Sequence, residues 1–363
     1  MFGDRLRLAR RRAGYSLRGL SGALDGDVTA QAIGKYERGE MMPSSSVLLD
    51  LAQVLGVSLE YLLSEQVEEL EGVRFRKFAG TSARERSRVD AEVIDHLQRY
   101  LTVEEILGAN DCSSADPPRG DRFFGRPEDG EVVAEDLRRE WKLGIDPIPN
   151  VTALVEDRGI RVLVIPLPVG VSGLTCLVRR SGRRQRVPVI VTNRHDTLER
   201  RRLTVAHELA HRLIDDVSPV DREKASDFFA GAFLVPRDHL VREIGRHRRA
   251  LGYRELIQLK RMYRVSAAAL LVRLGQVGVI AEATLDYAFR TFARGWRTTE
   301  PEPLEPEGAK GRHEVPQRFE RLCYRALAEK LITPAKAAEL LQQPLAAIEL
   351  GLKGPVKGDA VRS

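Results

Sequence analysis

The chain has little cysteine, no long apolar run and no recognisable export signal. Its three cysteines, Cys112, Cys176 and Cys323, are widely separated, odd in number and without CxxC spacing. They argue against a disulfide framework and against a cysteine metal site, so a reducing cytoplasm suits the chain best. No stretch of 18 apolar residues is present, which argues against a membrane span. The basic N-terminus lacks the apolar stretch and small-residue cleavage site of a secretory signal.

The remaining composition is that of a water-soluble globular protein. Apolar residues make up 43% of the 363 positions and charged residues 30%. The length predicts two or three domains rather than a single core. A net charge of +6 permits nucleic-acid binding but is too modest to argue for it.

The first 66 residues predict a compact domain of five short helices with its own small core. Ser16 is a good N-cap for LRGLSGAL, and Thr29 for AQAIGKYER, which Gly39 ends. Pro43 leads into VLLDLAQVL, and this fourth helix ends at Gly56. LEYLL is the fifth helix.

Three further segments follow. Residues 67–134 predict a helical connector over 84–107 and then a Gly/Pro-rich flexible loop over 108–131. Residues 135–280 mix β-branched strands, IRVLVIPL and PVIVTN, with a hairpin between them and several helices after them. Residues 281–363 hold a Pro/Glu-rich linker, 298–311, and a last helical unit that we interpret as an interaction module. The fold class expected is α+β, mainly α.

One helix, TVAHELAHRLID at 204–215, carries the residues of a metal centre. Residues i and i+4 of a helix project from one face, so His207 and His211 can bind one Zn²⁺ together. Glu208, directly after the first histidine, can reach a water on the metal and act as general base. A His₂-carboxylate donor set favours zinc over manganese.

Zinc needs a third protein ligand, and the next helix offers one. Glu223 would complete a His₂Glu site, and Asp227, four residues on, could accept the outer N–H of a liganding histidine. Other carboxylates near this position remain alternatives for the third ligand: Asp215, Asp216 and Asp221.

The stretch VIVTNRHDTLERRRLTVAHELAHRLI, followed by EKASDFFAGAFLVP, resembles the ImmA/IrrE family of metallo-endopeptidases. In that family a strand precedes an R-F-T-x-A-H-E-x-x-H helix, and an E-x-x-A-N-x-F-A-x-x-L-L-x-P helix follows. This chain departs from the pattern with Leu203 for Phe, Ser226 for Ala and Asp227 for Asn. The resemblance covers roughly residues 135–280. It implies a zincin-like domain with Glu208 as the base and three metal ligands: His207, His211 and Glu223.

Two further features of the predicted peptidase come from its strand and the residues after it. Strand 188–193 would pair with an extended substrate by β-addition. Arg194 and His195 are weak candidates to stabilise the oxyanion.

The N-terminal stretch resembles the Xre/phage-repressor helix-turn-helix family through VTAQAIGKYERG, Pro43 and LAQVLGVSLEYLL. The resemblance implies that the third helix enters the major groove of double-stranded operator DNA. Gln31 would read an adenine, and we expect Arg10, Arg11 and Arg12 to contact phosphates. The DNA-binding residues predicted are Thr29, Gln31, Lys35, Arg18 and Arg38. A homodimer is expected because one domain reads only a half-site; helix 84–107 is a possible dimer element, although domain packing is the simpler explanation. Alternatively, the five-helix unit is a protein-interaction module.

The combination predicts a DNA-binding transcription regulator with a zinc-dependent endopeptidase domain. The family resemblance implies cleavage of a helix-turn-helix repressor, either this chain or a partner, which relieves repression after stress or on mobile-element induction. A self-cleavage site is hypothesised within residues 108–131. Alternatively, the chain is an antitoxin-like regulator of a toxin–antitoxin pair that binds a toxin protein, and its peptidase fold is a non-hydrolytic scaffold or sensor. No membrane partner is expected.

Overall fold

The computed structural model describes residues 2–57, 59–63, 69–71, 82–108, 120–179 and 186–353. Helices dominate these ranges, which also form a small four-stranded sheet, and this confirms the predicted α+β, mainly α class. The chain divides into two compact units. None of the helices in the described ranges is both long and apolar enough to cross a bilayer.

The first unit comprises residues 1–114, 176–187 and 317–363, so both ends of the chain fold together. Its N-terminal elements are α1 Phe2–Arg12, α2 Leu17–Ala23, α3 Ala30–Glu37, α4 Ser45–Leu55, α5 Leu59–Leu63, β1 Glu69–Glu71 and α6 Ala83–Ile106. Its C-terminal elements are α15 Arg318–Ala328, α16 Pro334–Leu341 and α17 Leu345–Lys353.

The five predicted N-terminal helices are confirmed, with their predicted end signals. The hydroxyl groups of Ser16 and Thr29 accept hydrogen bonds from the third backbone N–H of α2 and α3. Gly56 ends α4 in the left-handed conformation at φ 61°, which glycine adopts without strain. The predicted cap Ser58 lies outside the described residues. The helices enclose a common core that includes Leu6, Leu20, Ile33, Leu51 and Leu62.

Helix α6 forms the centre of the first unit. One side packs against α1, and another packs against α15 and α16. The buried carboxylate of Asp95 binds Arg12 of α1 at 2.7 Å and Arg99 of its own helix at 3.3 Å. The apolar side chains of Val93 and Leu97 on α6 are buried by packing within one chain. Domain packing, the simpler explanation for this helix, therefore accounts for its apolar positions.

The second unit comprises residues 115–175 and 188–316. Its helices are α7 Asp129–Glu140, α8 Val151–Asp157, α9 Leu198–Leu213, α10 Arg222–Leu234, α11 Arg237–Ile244, α12 Tyr253–Tyr263, α13 Ala267–Val277 and α14 Glu282–Arg290. Strand β2 is Arg161–Ile165, and the hairpin strands are β3 Gly173–Arg179 and β4 Arg186–Asn193. The unit division cuts β3 after Thr175 and β4 after Val187.

Strand β4 is a central strand. It lies between β3 and β2, and its pairing with β2 is parallel, from Arg161 opposite Val189 to Ile165 opposite Asn193. The prediction that this strand adds an extended substrate is wrong, because β-addition needs a free edge and both edges of β4 are paired.

Helix α10 packs between α7 and α9. The approach of α7 is possible because Gly130 has no side chain. A Cβ atom there would lie 2.7 Å from the backbone nitrogen of Phe229 and 3.1 Å from the carbonyl oxygen of Ala225. The close packing of α7 fixes the position of α10. The candidate metal residue of this helix lies on the side that faces α9.

The Pro/Glu-rich residues 298–314, which we call the strap, are packed, although their composition favours a linker. Glu300 accepts the backbone N–H of Ala267 at 2.8 Å. The buried carboxylate of Glu305 accepts the backbone N–H of Gly311 at 2.7 Å. The strap is ordered because its acids find donors nearby, which composition does not reveal.

The loop predicted over 108–131 is also packed in its second half. Residues 109–119 lie outside the described residues. From Gly120 onward, Arg122 forms a parallel bridge with Ile214, and Phe124 is buried against Ile214 and Ala225. The second unit is therefore ordered well before residue 135, where composition placed its start.

We expect Gly130→Ala to destabilise the second unit by about 1–3 kcal/mol, because the new methyl group collides with backbone rather than with a flexible side chain. Thermal unfolding monitored by circular dichroism measures this effect. The matched control is Gly22→Ala in α2, where no atom lies within 4 Å of the added Cβ and Ala is the better helix former. Equal melting temperatures for the two variants would contradict the proposed close packing of α7 on α10.

Candidate metal centre and DNA-binding surface

Helix α9 presents the two predicted histidine ligands to a common point. Thr197 caps its N-terminus, and its spacing places His207 and His211 on one face, with their Nε2 atoms 3.1 Å apart. The rings meet edge to face with centroids 4.8 Å apart. Two Nε2 atoms at this distance suit a proton or a cation between them, since two lone pairs alone would repel.

Helix α10 supplies the carboxylate. Oε1 of Glu223 lies 3.3 Å from Nε2 of His211, and Oε2 lies 3.6 Å from Nε2 of His207. In a tetrahedral zinc site with bonds of about 2.0–2.1 Å, neighbouring donor atoms are roughly 3.3 Å apart. Each oxygen of Glu223 faces one imidazole at about this spacing, and one donor atom from each of the three residues lies within 4.8 Å of the others. The three side chains therefore converge as the ligands of one metal ion would. Within the described part of the chain, these residues form the group of three or more potential ligands that meet closely enough to hold a metal.

The three alternative acids are occupied elsewhere. Asp221 caps α10 by accepting the backbone N–H groups of Glu223 and Lys224. Asp215 accepts the hydroxyl of Ser218 at 2.5 Å. Asp216 is exposed and lies 3.4 Å from the guanidinium of Arg222. The geometry therefore brings Glu223, and none of these, to the histidines.

A side chain of α10 contacts the Nδ1 atom of each histidine and orients its ring. Nδ1 of His207 donates to Oδ1 of Asp227 at 2.7 Å, as expected from the sequence. Nδ1 of His211 lies 3.3 Å from Oγ of the fully buried Ser226. A proton held on Nδ1 leaves Nε2 with the lone pair that a metal needs.

The surrounding acids also change the protonation of His207. Burial lowers its pKa, but hydrogen bonds to Asp227 and Glu223 and the charge of Glu208 outweigh this and raise the pKa to about 9. The site thus has a negative potential that stabilises a positive charge between the donors. A divalent cation would satisfy the same potential.

Glu208 is buried at the same end of α9, beside the start of β3. A Cβ atom on Gly173 would lie 2.4 Å from Cγ2 of Thr204 and 3.3 Å from Cγ of Glu208. Gly173 therefore lets β3 run directly against the helix. The side chain of Glu208 lies next to the strand, and Glu208 directly follows the candidate ligand His207 in the sequence.

Arg194 and His195 do not join this cluster. Both precede the cap residue Thr197, and ten residues of helix separate that cap from His207, a rise of about 15 Å. They lie at the opposite end of α9 and are exposed. The sequence-based suggestion that they stabilise an oxyanion is therefore wrong.

The predicted DNA-reading face lies on α3. Gln31 and Lys35 are exposed and four residues apart, so they share one face, while Ile33 and Tyr36 turn into the core. Thr29 is exposed and its hydroxyl oxygen caps the helix.

Two cationic candidates flank this face. Arg18 is exposed on α2. Arg38 is exposed and lies 2.5 Å from Glu40, so this acid competes with DNA for its guanidinium. The five DNA-binding assignments stay predictions.

Two arginines predicted to contact phosphates have internal partners instead. Arg10 donates to both carboxylate oxygens of the buried Glu37, at 2.5 and 2.9 Å. Arg12 binds Asp95 of α6. Both arginines lie on α1 and hold it to neighbouring helices, whereas Arg11 remains exposed.

Sequence reasoning missed Ser226, which it treated only as a departure from the family pattern. A hydroxyl at that position is not recognisable as functional by residue type. The available signal is spacing: Ser226 precedes Asp227 and follows Glu223 by three residues, so its side chain emerges near that of Glu223.

A helix-turn-helix head and a pair of helices with three converging potential metal ligands are features of a regulator with a metallopeptidase-type domain. Comparison with known families agrees: the Helix-turn-helix family matches residues 6–62, and the IrrE N-terminal-like domain of the peptidase M78 family matches residues 155–275. The chain belongs to the helix-turn-helix transcriptional regulators and carries an IrrE-like domain. Both predicted resemblances are confirmed.

Two curated proteins of Bacillus subtilis (strain 168) are similar to the head. The SPbeta prophage-derived uncharacterized HTH-type transcriptional regulator YonR is 41% identical over 63 residues, which are 17% of this chain and 56% of that protein. The uncharacterized HTH-type transcriptional regulator YazB is 34% identical over 62 residues, 17% of this chain and 87% of that protein. The match thus spans little more than half of YonR. No solved structure matches the chain.

We expect the purified protein to bind one Zn²⁺, with an affinity lowered about 10–100-fold by Ser226→Ala or Asp227→Asn. Ser226→Ala removes the hydroxyl beside Nδ1 of His211, and Asp227→Asn replaces the charged acceptor at Nδ1 of His207 with a weaker, neutral amide oxygen. Competition with a chromophoric chelator measures the change. Asp216→Asn, the control, neutralises an exposed carboxylate outside the donor cluster and should leave the affinity unchanged. If all three variants match the wild type, α10 does not orient the histidines.

The operator for this test would be found by in vitro selection. We expect Gln31→Ala to weaken the free energy of binding to that operator by about 1–3 kcal/mol and to relax specificity at one base pair. Lys35→Ala should lower the affinity for all DNA sequences alike. It should also reduce the slope of the logarithm of the binding constant against the logarithm of the salt concentration by about one. Fluorescence anisotropy over a salt series checks both. Lys336→Ala removes a surface cation of α16 that pairs with Glu339 and is the control. If Lys35→Ala keeps the salt slope of the wild type, Lys35 does not contact a phosphate.

Proposed function

We propose that this transcription regulator is also a zinc-dependent endopeptidase that cuts a helix-turn-helix repressor, either this chain or a partner, and thereby relieves repression. The observation that carries the proposal is the meeting of His207, His211 and Glu223 within 4.8 Å, with Glu208 beside them. A purely structural zinc site is normally closed by four protein ligands. Three ligands and an adjacent carboxylate favour catalysis.

The bound zinc would supply a water of lowered pKa and would polarise the scissile carbonyl. The residues of the chain do the rest. His207, His211 and Glu223 would hold the metal, with Asp227 and Ser226 orienting the two rings. Glu208 would accept the proton of the attacking water on its carboxylate and later donate it to the leaving amine.

A protein substrate is supported by the combination of domains. A peptidase carried on an operator-binding head is concentrated where a repressor is bound, so a substrate on the same DNA meets it at a high effective concentration. The resemblance to the ImmA/IrrE family supports the same substrate class. A homodimer on a two-half-site operator would bring a second copy of the chain equally close.

The decisive comparison is of new protein N-termini in cells that carry the wild type or Glu208→Gln, with and without DNA damage. The substitution keeps shape and ligands but removes the base, so the metal content of the two purified proteins should be equal. We expect at least one peptide end that appears only with the wild type. We also expect kcat for that cleavage to fall at least about a hundredfold in the variant.

The other outcomes are equally informative. Identical N-termini across the stresses would reject hydrolysis and favour the second function, an antitoxin-like regulator whose metal site is a scaffold or a sensor. Co-purification of a toxin protein with the chain would then be the result to look for. Loss of metal in Glu208→Gln would instead identify Glu208 as a ligand.

A further inference from the structure

We infer that the DNA-binding head is held to the rest of the chain by a non-covalent clasp, so that one cut between Gly108 and Gly120 leaves the head attached. The clasp consists of α15, α16 and the paired residues of β1 and β3, Glu69–Glu71 with Leu177–Arg179, all within the first unit. The inference concerns what proteolysis of the connecting segment does, and it holds whichever protease makes the cut.

The apolar part of the clasp is a second core on α6. Tyr100 and Val103 of α6 are buried together with Phe319 and Cys323 of α15. The rings of Tyr100 and Phe319 stack with centroids 5.1 Å apart. Leu327 and Leu340 extend this core into α15 and α16. Separation would expose all of these side chains to water.

A buried ion pair makes the clasp specific. The side chain of Glu104 on α6 is fully buried and accepts from Arg318 of α15 at 2.5 Å. Arg99, also on α6, donates to the carbonyl oxygen of Leu340 in α16 at 2.7 Å. While α15 is in place, loss of Arg318 alone would take this guanidinium from the buried carboxylate of Glu104, and breaking a buried ion pair from one side is strongly destabilising.

A strand pair provides a second attachment. Strand β1, which follows the head, pairs antiparallel with β3, from Glu69 opposite Arg179 to Glu71 opposite Leu177. Both the strand pair and the helical core join residues before 109 to residues after 119. The covalent connection through that segment is therefore one of three links.

The consequence for regulation is that self-cleavage within residues 109–119 does not by itself free the head. The cut fragments stay together through the clasp, so the nicked protein keeps the head and the second unit in one particle. Release of the head requires that the contacts of α6 with α15 and α16 also be broken. By contrast, a repressor without such a clasp would lose its DNA-binding head after a single proteolytic cut made by another protein.

The test uses the full chain with a recognition sequence for a site-specific protease inserted between Gly108 and Gly120. After complete cutting, shown on a denaturing gel, size-exclusion chromatography with light scattering gives the mass under native conditions. We expect one species near the 40.6 kDa of the uncut chain, or its oligomer, with both fragments in equal amounts. Elution as two separate fragments at micromolar concentration would overturn the inference.

A matched pair of variants tests the contacts. Arg318→Ala removes the partner of Glu104, whereas Arg325→Ala removes an exposed cation of the same helix that pairs with Glu329. We expect the dissociation constant between the cut fragments to rise at least about tenfold in Arg318→Ala and to stay unchanged in Arg325→Ala. Circular dichroism of the uncut variants checks their folding. Equal dissociation constants would reject the ion pair as part of the clasp.

Discussion

The structure depends most on the contact between α9 and α10, because these two helices carry the three potential ligands that converge, His207, His211 and Glu223. The bond from His207 to Asp227 fixes the rotation of one helix relative to the other. A shift of one residue along α10 would move Glu223 away from both imidazoles, since neighbouring residues of a helix project about 100° apart. The ligand geometry is therefore a property of helix packing and needs no loop to order.

Buried charges fix the other end of α9. Arg202 and Glu314 are both fully buried and lie 2.8 Å apart. The second oxygen of Glu314 accepts the backbone N–H groups of Val151 and Thr152, at the start of α8. This arrangement satisfies an expensive buried carboxylate with a guanidinium and two N–H donors. It also ties the strap and α8 to the helix that carries the two candidate ligand histidines.

The neighbouring residues of α9 repeat this pattern. Glu199 accepts from the buried ammonium group of Lys260 at 2.9 Å, and Arg201 donates to the carbonyl oxygen of Gly311 in the strap at 2.6 Å. Thus three charged residues of the LERRRL segment, which sequence analysis would place at a surface, anchor α9 from within. These contacts fix the backbone of α9, and the same backbone positions the histidines about two turns further along the helix.

Local signals were sufficient for much of the fold and site. The caps Ser16 and Thr29 and the i,i+4 pair of histidines act within one turn of helix, so sequence spacing reveals them. Chemistry required a third ligand but left several carboxylates open, and the family resemblance was what implied Glu223. Long-range partners were out of reach: Arg318 and Glu104 are 214 residues apart, and no local pattern pairs them.

The same distinction explains the errors about charge. Arg10 and Arg12 sit in a basic run that is typical of a phosphate-binding surface, yet each has a buried acid from another helix as its partner. Net charge along a segment counts cations but does not tell which are already neutralised.

The head therefore presents fewer cations to DNA than its sequence suggests. Arg11, Arg18 and Lys35 are exposed, and Arg38 has a neighbouring acid. Each phosphate contact adds to the salt-dependent binding free energy, so a head with few exposed cations gains little of it alone. The homodimer stays a prediction, and the small number of exposed cations is a second reason to expect it beside the half-site geometry.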